Sequence, residues 1–282
     1  MTRDTVATNE VQREGGGPRS VLPLFSKELR DSRIGLLGWT LGHVGAILLY
    51  LPFYPSFGSN QDMQSFFTDF PPQVVTLFGL DQLYSGPAYT QATYFGLTAF
   101  LLLAIAVVSW GAAAIAGDEE SGGLELTLAH GVTRSQVVLE RALALLLRVV
   151  VVTGFAGLAI WSINDYAELS IAGSDLVAVT AALVGLAVLV GMAALSAGAA
   201  TGRRSVATAV GAGVGVLAYV LDAVSKTAGL PWLARVSPFS WAYGASPITE
   251  GVDWPGLALL FGVSLVLLLI AVALFRRRDV GA

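Results

Sequence analysis

Six long apolar stretches alternate with short polar segments along the chain, at about Ile34 to Phe53, Ala92 to Ala116, Ala142 to Ile163, Leu176 to Ala200, Val206 to Val224 and Gly256 to Phe275. A helix of about 20 residues crosses the ~30 Å hydrocarbon layer of a bilayer, so each stretch predicts a transmembrane span. Ahead of the first, Leu22, Leu24, Phe25 and Leu29 alternate with Lys27, Glu28, Arg30 and Arg33. That pattern predicts a short amphipathic helix in the headgroup region, the alternative being an extension of span 1. The expected fold class is an all-α polytopic membrane protein with six transmembrane helices.

Charge orients the spans. Of the 16 Lys and Arg residues, 14 fall in the leader, the span 2–3 region, the Thr201–Ser205 turn and the tail. All four places lie on one side if the chain crosses six times, and cytoplasmic segments collect Lys and Arg. Both termini are therefore expected in the cytoplasm. The other loops are acidic, with Asp62, Asp69, Asp81, Asp165, Glu168 and Asp175, and the last carries just Lys226 and Arg235. Composition agrees with a membrane protein: 55% hydrophobic and 13% charged residues, and a mean hydropathy of +0.70. The absence of Cys excludes disulfides, thiol nucleophiles and Cys-ligated metals.

Residues 1–20 are polar, with Gly15, Gly16 and Gly17, and predict a disordered cytoplasmic tail, leaving 21–282 as one membrane domain. No cleavable leader precedes span 1, which is expected to act as the signal anchor.

The segment from Gly117 to Arg134 is acidic at its start, with Asp118, Glu119 and Glu120, on the side that gathers positive charge. Ser121 is placed to cap a short helix with Leu124 and Leu128 on one face and Gly131 at its end. Thr133 and Gln136 have capping-box spacing for the next helix. From Arg134 to Ile163 is 30 residues, roughly 45 Å of helix, so span 3 projects beyond the membrane and carries the short helix with it. A capped, partly apolar helix held there predicts a docking element.

Gly117-Asp118-Glu119-Glu120-Ser121-Gly122-Gly123-Leu124-Glu125-Leu126, with Val132-Thr133-Arg134 and Glu140-Arg141 after it, resembles the inner loop of type 2 ABC exporter permeases (ABC-2). Lys27-Glu28-Leu29-Arg30 resembles that family's entry helix, and Ser237-Pro238-Phe239 its segment before span 6. Gly123 stands where Thr is common, and His130-Gly131 replaces a step that usually ends in Pro. The resemblance implies a permease subunit that moves a substrate outward when coupled to a separate ABC-type ATPase. The loop would be the coupling helix, with Asp118, Glu119, Glu120, Leu124, Glu125, Leu128 and Arg134 as ATPase-coupling residues. For the three acids, compensation of a helix dipole is an equal alternative. It further implies ATP and Mg on the partner ATPase and no cofactor in this chain. Pairing with itself or a sister permease in a prokaryotic plasma membrane is implied too, with no nucleic-acid partner.

No G-x-x-x-x-G-K-[ST] occurs, so an energy source is expected elsewhere, and no catalytic or metal-binding set stands out. His43 reads as a bundle-facing polar residue. Arg148, about two turns inside span 3, is expected to snorkel to the inner headgroups, and Asp222 to meet water or Lys226. Gly211, Gly213 and Gly215 in span 5 suit close helix packing or a subunit seam. Residues 62–80 predict two short amphipathic helices. The aromatic stretch Leu230 to Trp254 suits either an interfacial belt or, by the family resemblance, a pair of re-entrant helices capping an export path. Rival classes are an ion-gradient-driven secondary transporter and a non-transporting membrane scaffold. The first requires a mid-membrane ionisable residue or an internal repeat, and neither stands out.

Overall fold

The computed structural model describes residues 22–58 and 85–278. Among them, six helices are long and apolar enough to cross a membrane: Arg33–Ser56, Gly86–Glu120, Arg134–Ile163, Gly173–Thr201, Arg204–Ala228 and Trp254–Arg277, numbered spans 1 to 6. No strand occurs among the described residues, so the all-α, six-span class holds. Each helix outruns the apolar stretch that announces it, because helical hydrogen bonds continue into polar ends that hydropathy does not mark. The tail at 1–20 and the helices expected at 62–80 lie outside the described residues.

Span 4 is the axis of the bundle. Of its apolar window 78% is buried, against 17% for spans 1 and 6, and it packs against spans 2, 3, 5 and 6. Its Ala- and Gly-rich sequence makes this possible, since small residues let helix backbones approach closely in a bilayer. A Cβ on Gly111 of span 2 would lie 2.5 Å from the Gly191 carbonyl of span 4, and one on Gly211 of span 5 would lie 2.7 Å from the Ala194 methyl. Gly211 and Gly215 thus face the bundle, whereas Gly213 has nothing within 4 Å. The Ser196 hydroxyl donates to the Leu267 carbonyl at 2.8 Å and ties span 4 to span 6.

Span 2 is not a uniform α-helix. Two π-helical turns interrupt it, Gln91–Phe95 and Ala113–Gly117. The first carries Tyr94, whose hydroxyl meets His43 Nδ1 of span 1 at 2.8 Å in a fully buried contact. His43 is thus the bundle-facing residue expected of it.

Three short helices follow span 5 at the end of the bundle opposite the Arg-rich one: Pro231–Val236, Pro238–Tyr243 and Pro247–Glu250. Each has Pro in its first turn, where no hydrogen-bond donor is missed. The family resemblance implies a pair of helices here as the alternative to an interfacial belt; three form, the third a single turn started at Pro247. Ser237 donates to the Ala218 carbonyl at 2.7 Å and Ser240 to Asp222 at 2.7 Å, which fastens this cap to span 5. Asp222 also pairs with Lys226 at 2.8 Å, the partner its spacing predicted. Phe239 sits at the centre of an aromatic cluster, edge-on to Phe100 of span 2 and Tyr219 of span 5, with ring centroids 5.4 and 5.3 Å away. Trp161, Tyr166, Trp232 and Trp254 remain exposed at this end, as an interfacial aromatic belt requires.

Candidate functional site

At the arginine-rich end, Asp118, Glu119 and Glu120 complete span 2, and the chain reverses through Gly122 at φ +75°. A separate helix then runs Gly123–Ala129 and ends at Gly131, φ +79°. Left-handed backbone favours glycine at both turns. Thr133 begins span 3 by accepting the Gln136 N–H at 3.2 Å. Two local expectations change. The Ser121 hydroxyl does not cap the short helix; it donates to the Asp118 carbonyl at 3.1 Å, closing the turn before it. The Gln136 amide reaches forward to Glu140 at 2.6 Å instead of back to Thr133, so one half of the capping box forms.

Each acid of the trio is answered by a different element. Asp118 pairs with Arg141 of span 3. Glu119 pairs with Arg278, which follows span 6. Glu120 accepts the Arg204 N–H, the first residue of span 5, at 2.8 Å. Arg134 closes the circle by donating to the Phe275 carbonyl at 3.3 Å and to that of Arg278, and the Phe275 ring, fully buried, has the Arg134 and Arg278 guanidiniums 6.0 and 5.9 Å from its centroid. Gly202 ends span 4 beneath the Glu119–Arg278 pair at φ +66°, where a Cβ would meet both side chains. The loop is therefore bonded to the ends of spans 3, 5 and 6. These acids, read from sequence as partner contacts or dipole compensation, are first of all fasteners within the chain.

Burial sorts the rest of the loop. Leu124 is fully buried and Leu128 packs partly buried against the core. Glu125, Leu126, Ala129 and His130 are exposed, Leu126 by 67%. Leu124 thus offers no outward surface, while Leu126, which was not among the candidates, does. The helical period carried that signal: with 124 and 128 on the inner face, a residue two positions on from 124 points away.

A second cluster binds the entry helix, Pro23–Asp31, to span 3. Arg148 donates to the Glu28 carbonyl at 2.8 Å and to its carboxylate at 2.6 Å, with its guanidinium 5.7 Å from the Trp110 ring. It is buried and does not snorkel: the carboxylate that meets it comes from a helix 120 residues away in sequence, which local pattern cannot reveal. Glu140 accepts the Phe25 N–H at 2.8 Å, placing a carboxylate on the positive end of the entry helix. Arg141 joins the two clusters, since its Nε lies 3.9 Å from Glu28 while its Nη2 holds Asp118.

A groove with a volume of about 520 Å³ runs between spans 2 and 5. Its walls are almost wholly apolar, with Ser109, Thr208 and Arg204 grouped near the arginine-rich end and Tyr219 toward the other.

No curated protein matched the sequence. The family model described as ABC-2 family transporter protein matches residues 22–280, nearly the whole chain and all six spans. The chain therefore belongs to the ABC-2 transporter family and is a membrane permease component of ABC-type transport.

Proposed function

We propose that this chain is the permease subunit of an ATP-driven exporter in a prokaryotic plasma membrane, with its arginine-rich end and both termini in the cytoplasm. A separate ATPase, holding ATP and Mg²⁺, docks on residues 118–131, and a second copy or a sister permease completes the translocation path. The observation that carries this reading is the division of labour within the loop. Asp118, Glu119, Glu120 and Arg134 fasten it to spans 3, 5 and 6, while Glu125, Leu126, Ala129 and His130 face outward. A surface so mounted passes a push on the short helix directly to three spans. The family supports the ATPase, and the positive-inside bias supports the orientation. The groove between spans 2 and 5 supplies half of a path, and Phe239 packs on two residues of its lining, Phe100 and Tyr219. Tilting either span would part that aromatic contact.

Mild crosslinking in native membranes, followed by purification of the tagged chain, tests the coupling. A stoichiometric ATPase crosslinked within residues 123–130 is the expected result. Leu126→Asp should lower its recovery about ten-fold or more, as for an apolar anchor at an interface centre, and leave membrane insertion unchanged. Leu124→Asp should instead destabilise the chain itself, because it puts a charge into a fully buried position. Full ATPase recovery with the folded Leu126→Asp variant would remove the docking assignment.

A further inference from the structure

We infer that the groove between spans 2 and 5 takes up an anionic amphiphile from the inner leaflet, its acidic head on the Arg204 guanidinium and its apolar body along the groove. The inference rests on the permease reading and deepens it by naming the class of cargo.

The shape and the distribution of polarity carry the argument. A volume of about 520 Å³ lies within the range of small-molecule sites. Leu101, Ala104, Ile105 and Val108 form one wall and Ala212 and Val216 the other. From Arg204 to Tyr219 the helix rises about 22 Å, more than one leaflet's share of the ~30 Å hydrocarbon layer. A ligand that fits must therefore be long and apolar over most of its length. Hydrogen-bonding groups gather at one end, where Arg204, Thr208 and Ser109 line the groove.

Arg204 is equipped to receive an anion. Its backbone is fixed by the Glu120 carboxylate at 2.8 Å. Its side chain is exposed, and among the described residues no carboxylate forms an ion pair with its guanidinium, unlike those of Arg141, Arg148 and Arg278. A guanidinium matches phosphate or carboxylate bidentately and is the more selective for standing beside an apolar wall. Its position at the start of span 5, on the arginine-rich side, coincides with the headgroup level of the inner leaflet. A second groove, among spans 4, 5 and 6, makes an internal contrast: at about 480 Å³ it is nearly as large, and no charged side chain lines it. It is expected to accept lipid tails without regard to the head.

The test uses the chain with whatever ATPase accompanies it, in nanodiscs doped with photoactivatable phosphatidylglycerol or with photoactivatable phosphatidylcholine of the same acyl chains. Phosphatidylglycerol should label residues 101–108 and 208–216 about five-fold more than phosphatidylcholine, the order expected of one solvent-exposed ion pair. Arg204→Gln should bring labelling down to the phosphatidylcholine level, Arg204→Lys should restore part of it, and Arg203→Gln should leave it unchanged. Labelling around Leu189 and Val263 in the second groove should not depend on the head. Equal labelling by the two lipids overturns the proposal, as does indifference to Arg204→Gln. So does crosslinking between two copies through the groove walls without lipid labelling, which would assign the groove to a second chain. The accompanying ATPase is scored in the same preparation. Its retention with failed lipid selectivity refutes the cargo class alone; its absence refutes the permease reading, whatever the lipid does.

Discussion

Gly202 joins two constraints that are usually separate. It ends span 4 in the left-handed region, φ +66°, and the space where a Cβ would go is taken by Arg278 and Glu119. Gly229 ends span 5 at φ +64° with nothing within 4 Å. The left-handed conformation costs a residue with a side chain about 1–2 kcal/mol. Gly229→Ala should lose that much stability and Gly202→Ala distinctly more, because it also displaces an ion pair that joins the loop to span 6. Thermal unfolding of both variants in nanodiscs checks the order, and equal shifts would show that the pair yields freely. The sequence shows only a glycine at each of these positions. It does not announce the clamp above Gly202, because Glu119 and Arg278 stand 159 residues apart. The same limit governed Arg148: a lone arginine in a span reads as snorkelling until the helix carrying Glu28 is placed against it. What was legible at this scale was local: Thr133 as a cap, Asp222 one turn from Lys226, and the helix end at Gly131.

At the scale of elements, hydropathy located every span and the amphipathic leader, since both leave periodic or continuous apolar signatures. It missed where span 2 ends, because the π turns and the acidic extension to Glu120 carry no signature in residue type. It also left the entry helix between two descriptions, a short amphipathic helix at the headgroups or an extension of span 1. The structure has the separate helix, Pro23–Asp31, and adds what holds it on span 3: Glu140, Arg141 and Arg148. Removing one member of such a set costs more than removing a pair, because the charge left behind is poorly hydrated. Arg148→Met should therefore loosen the entry helix and speed amide exchange over residues 24–31. Its cost should fall below the roughly 3–5 kcal/mol of a fully buried pair, since the Glu28 side chain keeps 26% of its exposure. Glu28→Gln added to Arg148→Met should recover much of the protection. Loss as deep in the double variant as in the single one would mean that the helix is held by the hydrogen bond to the Glu28 carbonyl and by packing, not by charge.

For the whole molecule, an even number of spans and a one-sided distribution of arginine require each other. With six spans, the arginines at 134, 203, 204 and 276–278 share one face, and that face also holds the loop with its acidic trio. An acidic trio placed among so many arginines looked anomalous in the sequence. In the fold it neutralises part of that charge at close range: Asp118 and Glu119 each meet a guanidinium, and Glu120 meets the first N–H of span 5. The positive-inside bias survives the trio because orientation follows the Lys and Arg residues, to which Asp and Glu add little. The chain's lack of cysteine makes the consequence measurable. Single cysteines at Leu126 and Arg203, both exposed at the arginine-rich end, should react with a membrane-impermeant maleimide in inverted vesicles and not in intact spheroplasts. Cysteines at Tyr166 and Trp232, exposed at the opposite end, should show the reverse. If Leu126→Cys were labelled from outside, an ATPase in the cytoplasm would have no loop to push, and docking, coupling and the inner-leaflet site at Arg204 would fall together. If the two ends label as expected, the same arginines that oriented the chain also stand where they bind the loop's acids and face the headgroups of the inner leaflet.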